Sequence, residues 1–563
     1  MSLKEQGKYE EAYDAFYKAV WSSAMQDCGF YQLACIASAK GRYEEALEFT
    51  EKSLVKGYHN LKARNLRTAL LRHLGITDKA VAFAKETLEI DPMSYGARYE
   101  LFRLTDDFKV LNTLTTIMQN DLQSYIELSI KYSEAGLFED AAKVLALISQ
   151  ADRRMLHYYT AYYSNSAVEL DIAKNCIDKY DFPNRLHDIK VLEYAIKNSP
   201  SDPRAPYDLG NLLYDKGQWQ RAIELWEQSA AIDDAHAEVH RNLALAYFNK
   251  LHDSEKALTH MEKAHRLAPD DSRIFYELDC LYKETNYPVL KRVNAMAADM
   301  QMTSSRDDLY TECITLVNTL GKYERALKLI NMHTFHPWEG GEGKITTQYR
   351  KAHIGLACDA IRAKDTEEAV KHLTAALSYP ENLGEGKLYG ALDNDIYYYL
   401  GCALESTDKI LSNEYFEKAS HGDTTIDSVV YYNDRPPEMF FYQALAFEKL
   451  GNTKKARSMY NKLIDYAEEH MNDVCEIDYF AVSLPDFLIF ETDIDRNNKI
   501  HCIFMAALGH TGFGRTEKAL KYVEAGLKLD NAHQGLNILK RILSGGDEKQ
   551  GMHEIKRNYV WRK

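Results

Sequence analysis

Residues 209–269 read LGNLLYDKGQWQRAIELWEQSAAIDDAHAEVHRNLALAYFNKLHDSEKALTHMEKAHRLAP. Leu209 and Leu213 are four apart, so they share one face of a helix. Gly217 and Trp219 mark a turn, and Ala222, Ile223, Leu225 and Trp226 restart a second face. The pattern begins again at Leu243, Ala244 and Tyr247, runs through Ala257, Leu258 and Met261, and closes at Ala264, Leu267 and Pro269. From Leu209 to Leu243 the period is 34 residues, the length of a helix–turn–helix repeat. Each landmark has a physical reason. Gly210 is small where the second helix must cross closely, and Gly217 accepts the left-handed conformation that ends a helix. Ala222 is a close-contact position, Trp226 fills the space beside it, and Pro269 cannot continue a helix. One such hairpin cannot bury its apolar stripe, but a stack of them can.

Working outward, the same pattern recurs. Leu33 and Ala34 with Gly41, Tyr43 and Ala46 form one hairpin. Leu71, Gly75, Ala80, Ala84 and Pro92 form another. Residues 94–119 keep the apolar spacing with weak turn signals, and Leu128, Tyr132, Gly136, Phe138, Ala141 and Leu145 restore the full pattern. The segment 154–200 holds an aromatic run at His157, Tyr158, Tyr159, Tyr162 and Tyr163, then a helix ending near Pro200. Further hairpins follow at 275–330, 346–378, 392–420, 437–470 and 498–528, with a last helix near 533–543. At the start, Gly7, Tyr9, Ala12, Phe16 and Ala19 match a turn and second helix only, the expectation for a piece of a longer protein. After residue 332 the hairpins are separated by long non-helical segments at 333–345, 380–391, 421–436 and about 472–495. Two regions are therefore expected: a regular array over 1–332 and a loop-decorated array with a C-terminal capping helix over 333–563.

These repeats resemble the tetratricopeptide family. The expected fold is all-α, a right-handed superhelical solenoid of about a dozen hairpins with long inserted loops in its C-terminal half. Three stretches are similar to something narrower: His336 to Gly343 (HPWEGGEG), Tyr379 to Gly386 (YPENLGEG) and Ile477 to Asp486 (IDYFAVSLPD). They resemble the C-terminal array of a family of largely uncharacterised bacterial proteins. Those proteins carry a β-rich N-terminal domain similar to sugar mutarotases, which is absent from these residues. The resemblance implies a partner domain for the array, and any activity of that domain lies outside this chain.

Composition narrows the function. Hydrophobic residues make up 45% of the 563, so long disorder is not expected. The net charge of −15 argues against nucleic acid, which requires a basic footprint. No apolar run approaches the ~20 residues of a membrane span. The nine cysteines include no C-x-x-C pair, which points to a reducing, cytoplasmic setting. No H-E-x-x-H, phosphate-loop or nucleophile–base pattern occurs, and neither a metal nor another cofactor is expected. His333 and His336 alone fall short of the three or four ligands a metal needs.

Two Gly-Glu-Gly loops are the sharpest local signal. The first offers His336, Trp338, Glu339, Glu342 and Lys344. The second offers Glu381, Asn382, Glu385, Lys387 and Tyr389. If the loops meet, carboxylates and an aromatic face converge, a set that suits a polyhydroxylated ligand or acid–base work on a glycoside. The alternative is that Trp338 and Tyr389 plug the array while the glycines shape turns.

The inner surface is the other candidate. There the first helices present Tyr207, Asn211, Tyr214, Arg241, Asn242, Phe248, Arg273 and Tyr276. Asn211, Asn242 and Arg273 fit part of the carboxylate clamp of some tetratricopeptide proteins. Tyr207 and Glu277 stand where cations belong, so a groove rich in tyrosine (39 in the chain) holding a protein segment is the better fit. The leading expectation is a non-catalytic scaffold binding a protein segment or docking a partner domain. The runner-up is part of a carbohydrate-binding or carbohydrate-processing protein whose sugar site a missing β-rich domain completes.

Overall fold

The computed structural model describes residues 1–149, 152–176, 181–338, 340–426, 435–475 and 489–544. Glu339 and the stretch Ile477 to Asp486 lie outside them. Among the described residues there are thirty-one α-helices and no strand. They form two compact units, Met1–Ala235 and His236–Lys563.

The first unit shows how one hairpin is built. Helices Arg204–Asp215 and Trp219–Ile232 pack through Leu209, Leu213 and Ala222, all without solvent exposure. Gly217 has φ +74°, and the N–H of Gln218 reaches back to the Leu213 carbonyl at 2.9 Å, closing the first helix. A Cβ on Gly210 would lie 2.5 Å from the Trp226 indole nitrogen, so glycine alone permits the crossing. That indole N–H donates to Asn211 Oδ1 (3.1 Å) and to the Tyr207 carbonyl (3.3 Å), so a large ring is buried with its polar atom satisfied.

The weak signals at 94–119 fold as an ordinary hairpin, Tyr95–Thr105 and Phe108–Met118. Its turn is made by Asp106 at φ 52°, a residue tolerant of the left-handed region. The aromatic run becomes core. Tyr158 and Tyr159 have no exposure, and their hydroxyls donate to Asp202 (2.8 Å) and Asp188 (2.5 Å). A later helix of the unit touches its start: Lys190 Nζ, on helix Leu186–Asn198, binds Glu5 at 2.7 Å across 185 residues of chain.

The second unit contains the hairpins expected after residue 332, now bounded by helices Lys344–Ala363, Thr366–Ala375, Asn394–Leu404, Lys409–Ser420, Pro437–Lys449, Thr453–His470, Ile494–Gly512, Thr516–Leu529 and Gln534–Leu543. Helices Tyr323–Asn331 and Lys344–Ala363 pack on each other across position 332. This unit also closes on itself. Arg541 donates to the Thr319 carbonyl (2.7 Å) at the end of helix Asp307–Thr319, where a cation is favoured. Asn531 Nδ2 donates to the Asn286 carbonyl at 2.8 Å, and Arg496 donates to the carbonyls of Glu284 (3.2 Å) and Leu529 (2.6 Å).

Replacing Trp226 with Ala removes the ring that separates the two rods of its hairpin. The expected loss is about 3–5 kcal/mol in chemical denaturation of the first unit. Acid has a signed effect on both units. Burial, with Lys190 nearby, holds His187 down to about 4, and burial with His372 holds His353 down to about 4. Unfolded histidine titrates near 6.5, so between pH 6.5 and 4 the unfolded chain binds more protons. Stability should fall as pH drops through that window, and replacing both histidines with Gln should flatten the slope in denaturation midpoints measured at pH 4 to 7.

Candidate functional site

The two Gly-Glu-Gly loops lie side by side. The Phe335 N–H donates to the Asn382 carbonyl at 2.8 Å, and Asn382 Nδ2 donates to the carbonyls of Ile330 and His333, both at 2.9 Å. Asn382 is thereby a tie between loops. Glu385 accepts the N–H of Gly343 at 2.9 Å, at the start of helix Lys344–Ala363. A carboxylate there meets the positive end of the helix dipole. Partial burial still pushes the Glu385 carboxyl up, with the Gly343 N–H working against it.

His333 and His336 converge on one carboxylate. His333 Nε2 lies 2.6 Å from Asp307 Oδ1, and the His336 backbone N–H and Nδ1 lie 2.7 and 3.1 Å from Asp307 Oδ2. Burial tends to raise the Asp307 carboxyl, but these contacts outweigh it and hold the group below its ordinary value. His336 is otherwise exposed. No group of three or more His, Cys, Asp or Glu side chains that could hold a metal occurs among the described residues. Glu381 and Tyr389 are exposed, and Lys387 pairs with Asp393 at 2.7 Å.

Three residues of the first loop share one cavity. Trp338, Glu342 and Lys344 line a space of about 620 Å³ with Tyr276 and the segment 489–497. Glu381, Asn382, Glu385 and Tyr389 do not reach it. The Trp338 indole rests on the Gly341 backbone so closely that a Cβ there would lie 2.1 Å from the ring.

The inner-face residues divide between the units. In the first, Asn211 and Tyr207 serve the Trp226 indole, and the Tyr214 ring lies 5.1 Å from it. In the second, Arg241 grips Glu277 through two 2.6 Å bonds and also donates to Asn242 at 3.1 Å. Arg273 reaches the same carboxylate at 3.0 Å, and Glu277 has no exposure. Arg273 spends only its Nε on Glu277, and its side chain stays 65% exposed. Phe248 packs edge-on against Phe490 at 5.2 Å, and Tyr276 lies under the Arg306 guanidinium at 5.4 Å.

Sequence reasoning missed a groove of about 450 Å³ in the first unit. It runs over the first helices of four successive hairpins: Gln26–Ala39, Leu61–His73, Tyr95–Thr105 and Leu122–Ser133. Leu66, Ala69, Leu128 and Tyr31 make an apolar floor, while Lys62, Asn65, Gln123 and Lys131 give a polar rim. Asn65 accepts the Ser94 hydroxyl at 3.3 Å, and its Nδ2 makes no hydrogen bond among the described residues. Gly96 leaves room for that amide, since a Cβ there would meet it at 2.4 Å. Only the equivalence of first-helix positions across repeats could have exposed this groove.

The tetratricopeptide-repeat models match residues 29–54, 210–250 and 438–468. Among curated proteins, the chain is 22% identical over 252 residues to anaphase-promoting complex subunit 3 of Schizosaccharomyces pombe. That match takes in 43% of this chain and about a third (35%) of the relative's length. Among solved structures it is similar to YrrB, a TPR protein with an unusual peptide-binding site (18% identity, 40% of this chain, 96% of that one, TM-score 0.18). It is also similar to TTC0263, a thermophilic TPR protein of Thermus thermophilus (18%, 45% and 98%, TM-score 0.16), and to MamA of Desulfovibrio magneticus (19%, 33% and 96%, TM-score 0.21). With its hairpins and glycine turns around these three matched segments, the chain carries tetratricopeptide repeats.

Proposed function

We propose that this protein is a non-catalytic scaffold that holds a protein segment in the groove of its first unit. The observation that carries this reading is the groove's composition: an apolar floor on four consecutive first helices, bordered by amides and charges of both signs. A floor of this kind takes an aliphatic or aromatic anchor from a partner, and the rim fixes register. The Asn65 amide supports an extended segment, because its Nδ2 is placed to donate to a partner carbonyl. Met93 is 55% exposed beside the groove and adapts to different anchors through its flexible thioether chain. No helix among the described residues is long and apolar enough to cross a membrane. Free cysteines at all nine positions fit a reducing, cytoplasmic setting.

The test is a peptide-array screen with the full chain, followed by titration of the captured sequences. Asn65→Ala and Met93→Glu should each weaken binding about tenfold, near 1.4 kcal/mol, with melting temperatures within about 2 °C of the parent. Peptides that bind both variants as tightly as the parent would place the segment elsewhere.

A further inference from the structure

The cavity of the second unit differs in chemistry from that groove, and its charges are the place to start. Five carboxylates border it: Asp279, Glu284, Asp308, Glu312 and Glu342. Most are already matched. Arg292, with 1% exposure, forks onto Asp279 (2.8 and 2.7 Å) and reaches Glu312 at 2.7 Å. Arg306 grips Asp308 at 3.0 and 2.6 Å, and Arg496 lies 3.6 Å from Glu284. Lys283 and Lys344 complete the set, so five cations face five anions. Among these ten groups the formal charges cancel, with the three arginines standing behind the lining.

It nevertheless retains unused hydrogen-bonding capacity. The Thr347 hydroxyl, exposed on the cavity wall, makes no hydrogen bond among the described residues. The Lys283 ammonium makes no hydrogen bond or ion pair among the described residues; Glu312 is its largest electrostatic partner and, with burial opposing, keeps it charged. Paired carboxylates retain free lone pairs, and Thr315, Thr347 and Gln348 add hydroxyl and amide groups. Trp338 supplies an indole that Gly341 braces from behind. At about 620 Å³ the space falls in the ~300–1,000 Å³ range of small-molecule sites.

We propose that this cavity binds a neutral polyhydroxylated ligand, a mono- or disaccharide, with Trp338 against the apolar face of a sugar ring and Thr347 and Lys283 bonded to its hydroxyls. Neutral hydroxyls both donate and accept, so they use carboxylates and ammoniums together without disturbing the charge balance. A polyamine would meet Lys283 and Lys344, and a phosphate would meet the five acids. The site needs no reaction: Asp279, Glu312, Asp308 and Glu284 each lie against an arginine. It is independent of the groove in the first unit.

Isothermal titration of the full chain against glucose, galactose, N-acetylglucosamine, maltose, cellobiose and lactose tests this, with spermidine and inorganic phosphate as charged probes. Saturable binding of at least one sugar is expected. Trp338→Ala and the isosteric Thr347→Val should each weaken it five- to tenfold or more, while Val168→Glu at an exposed position of the first unit leaves it unchanged. Thr347→Val removes an exposed hydroxyl without changing shape, so it should melt within about 2 °C of the parent even as it loses sugar. Absence of binding by every sugar, binding only of spermidine or phosphate, or sugar binding that survives in both cavity variants would each overturn the assignment.

Discussion

The contact between Gly210 and the Trp226 indole sets the distance between two rods, and Gly401 against the Phe416 ring does the same in a later hairpin. A side chain larger than hydrogen at Gly210 would push the helices apart, exposing Leu209 and Leu213, which now have no contact with water. Burying a large apolar side chain yields roughly 1.5–3 kcal/mol. Such a gain exists only when a neighbouring hairpin covers the seam, because one hairpin leaves half its stripe wet. The buried seam therefore specifies stacking, and stacking specifies a curved inner surface made of first helices.

Curvature has a second consequence inside each unit. Where late helices return to early ones, polar groups distant in sequence face each other at close range. Lys190 meets Glu5, and Arg541 meets the carbonyl end of helix Asp307–Thr319. In the second unit the same closure encloses a cavity lined by charged residues. A buried charge is tolerable only when paired and hydrogen-bonded. Arg292 meets that condition by holding Asp279 and Glu312 at once; burial pushes Asp279 up while Arg292 opposes it. Losing one member of such a set strands the others, at a cost of about 3–5 kcal/mol.

The contrast between legible and hidden features follows from the range of the forces involved. Turns marked by glycine, such as Gly217, were visible because one residue carries the signal. The turn at Asp106 was hidden because a left-handed aspartate looks like any polar loop residue, and the hairpin 95–118 read as degenerate. The loop Trp338–Lys344 was legible because its chemistry is contiguous. Glu385 read as a possible partner to those residues, yet its carboxylate is occupied by the Gly343 N–H. Arg241 and Arg273 read as cations facing a ligand, and both also bond to Glu277, a buried carboxylate the repeat spacing did not single out as their partner. The groove of the first unit gave no signal, because Tyr31, Leu66 and Leu128 are ordinary core residues until four helices align them.

The two recesses arise from one architecture yet invite different ligands, and the reason lies in what each leaves unpaired. In the first unit, apolar carbon at Leu66, Ala69 and Leu128 borders the groove, so contact with another apolar surface lowers the free energy and water gains nothing by staying. In the second unit the recess is bordered by ion pairs whose charges cancel but whose lone pairs and N–H groups persist. Apolar carbon placed there would desolvate those groups without replacing their water. A repeat scaffold can thus vary its ligand chemistry unit by unit while keeping one seam, since the residues that face inward are not the ones that hold the rods together.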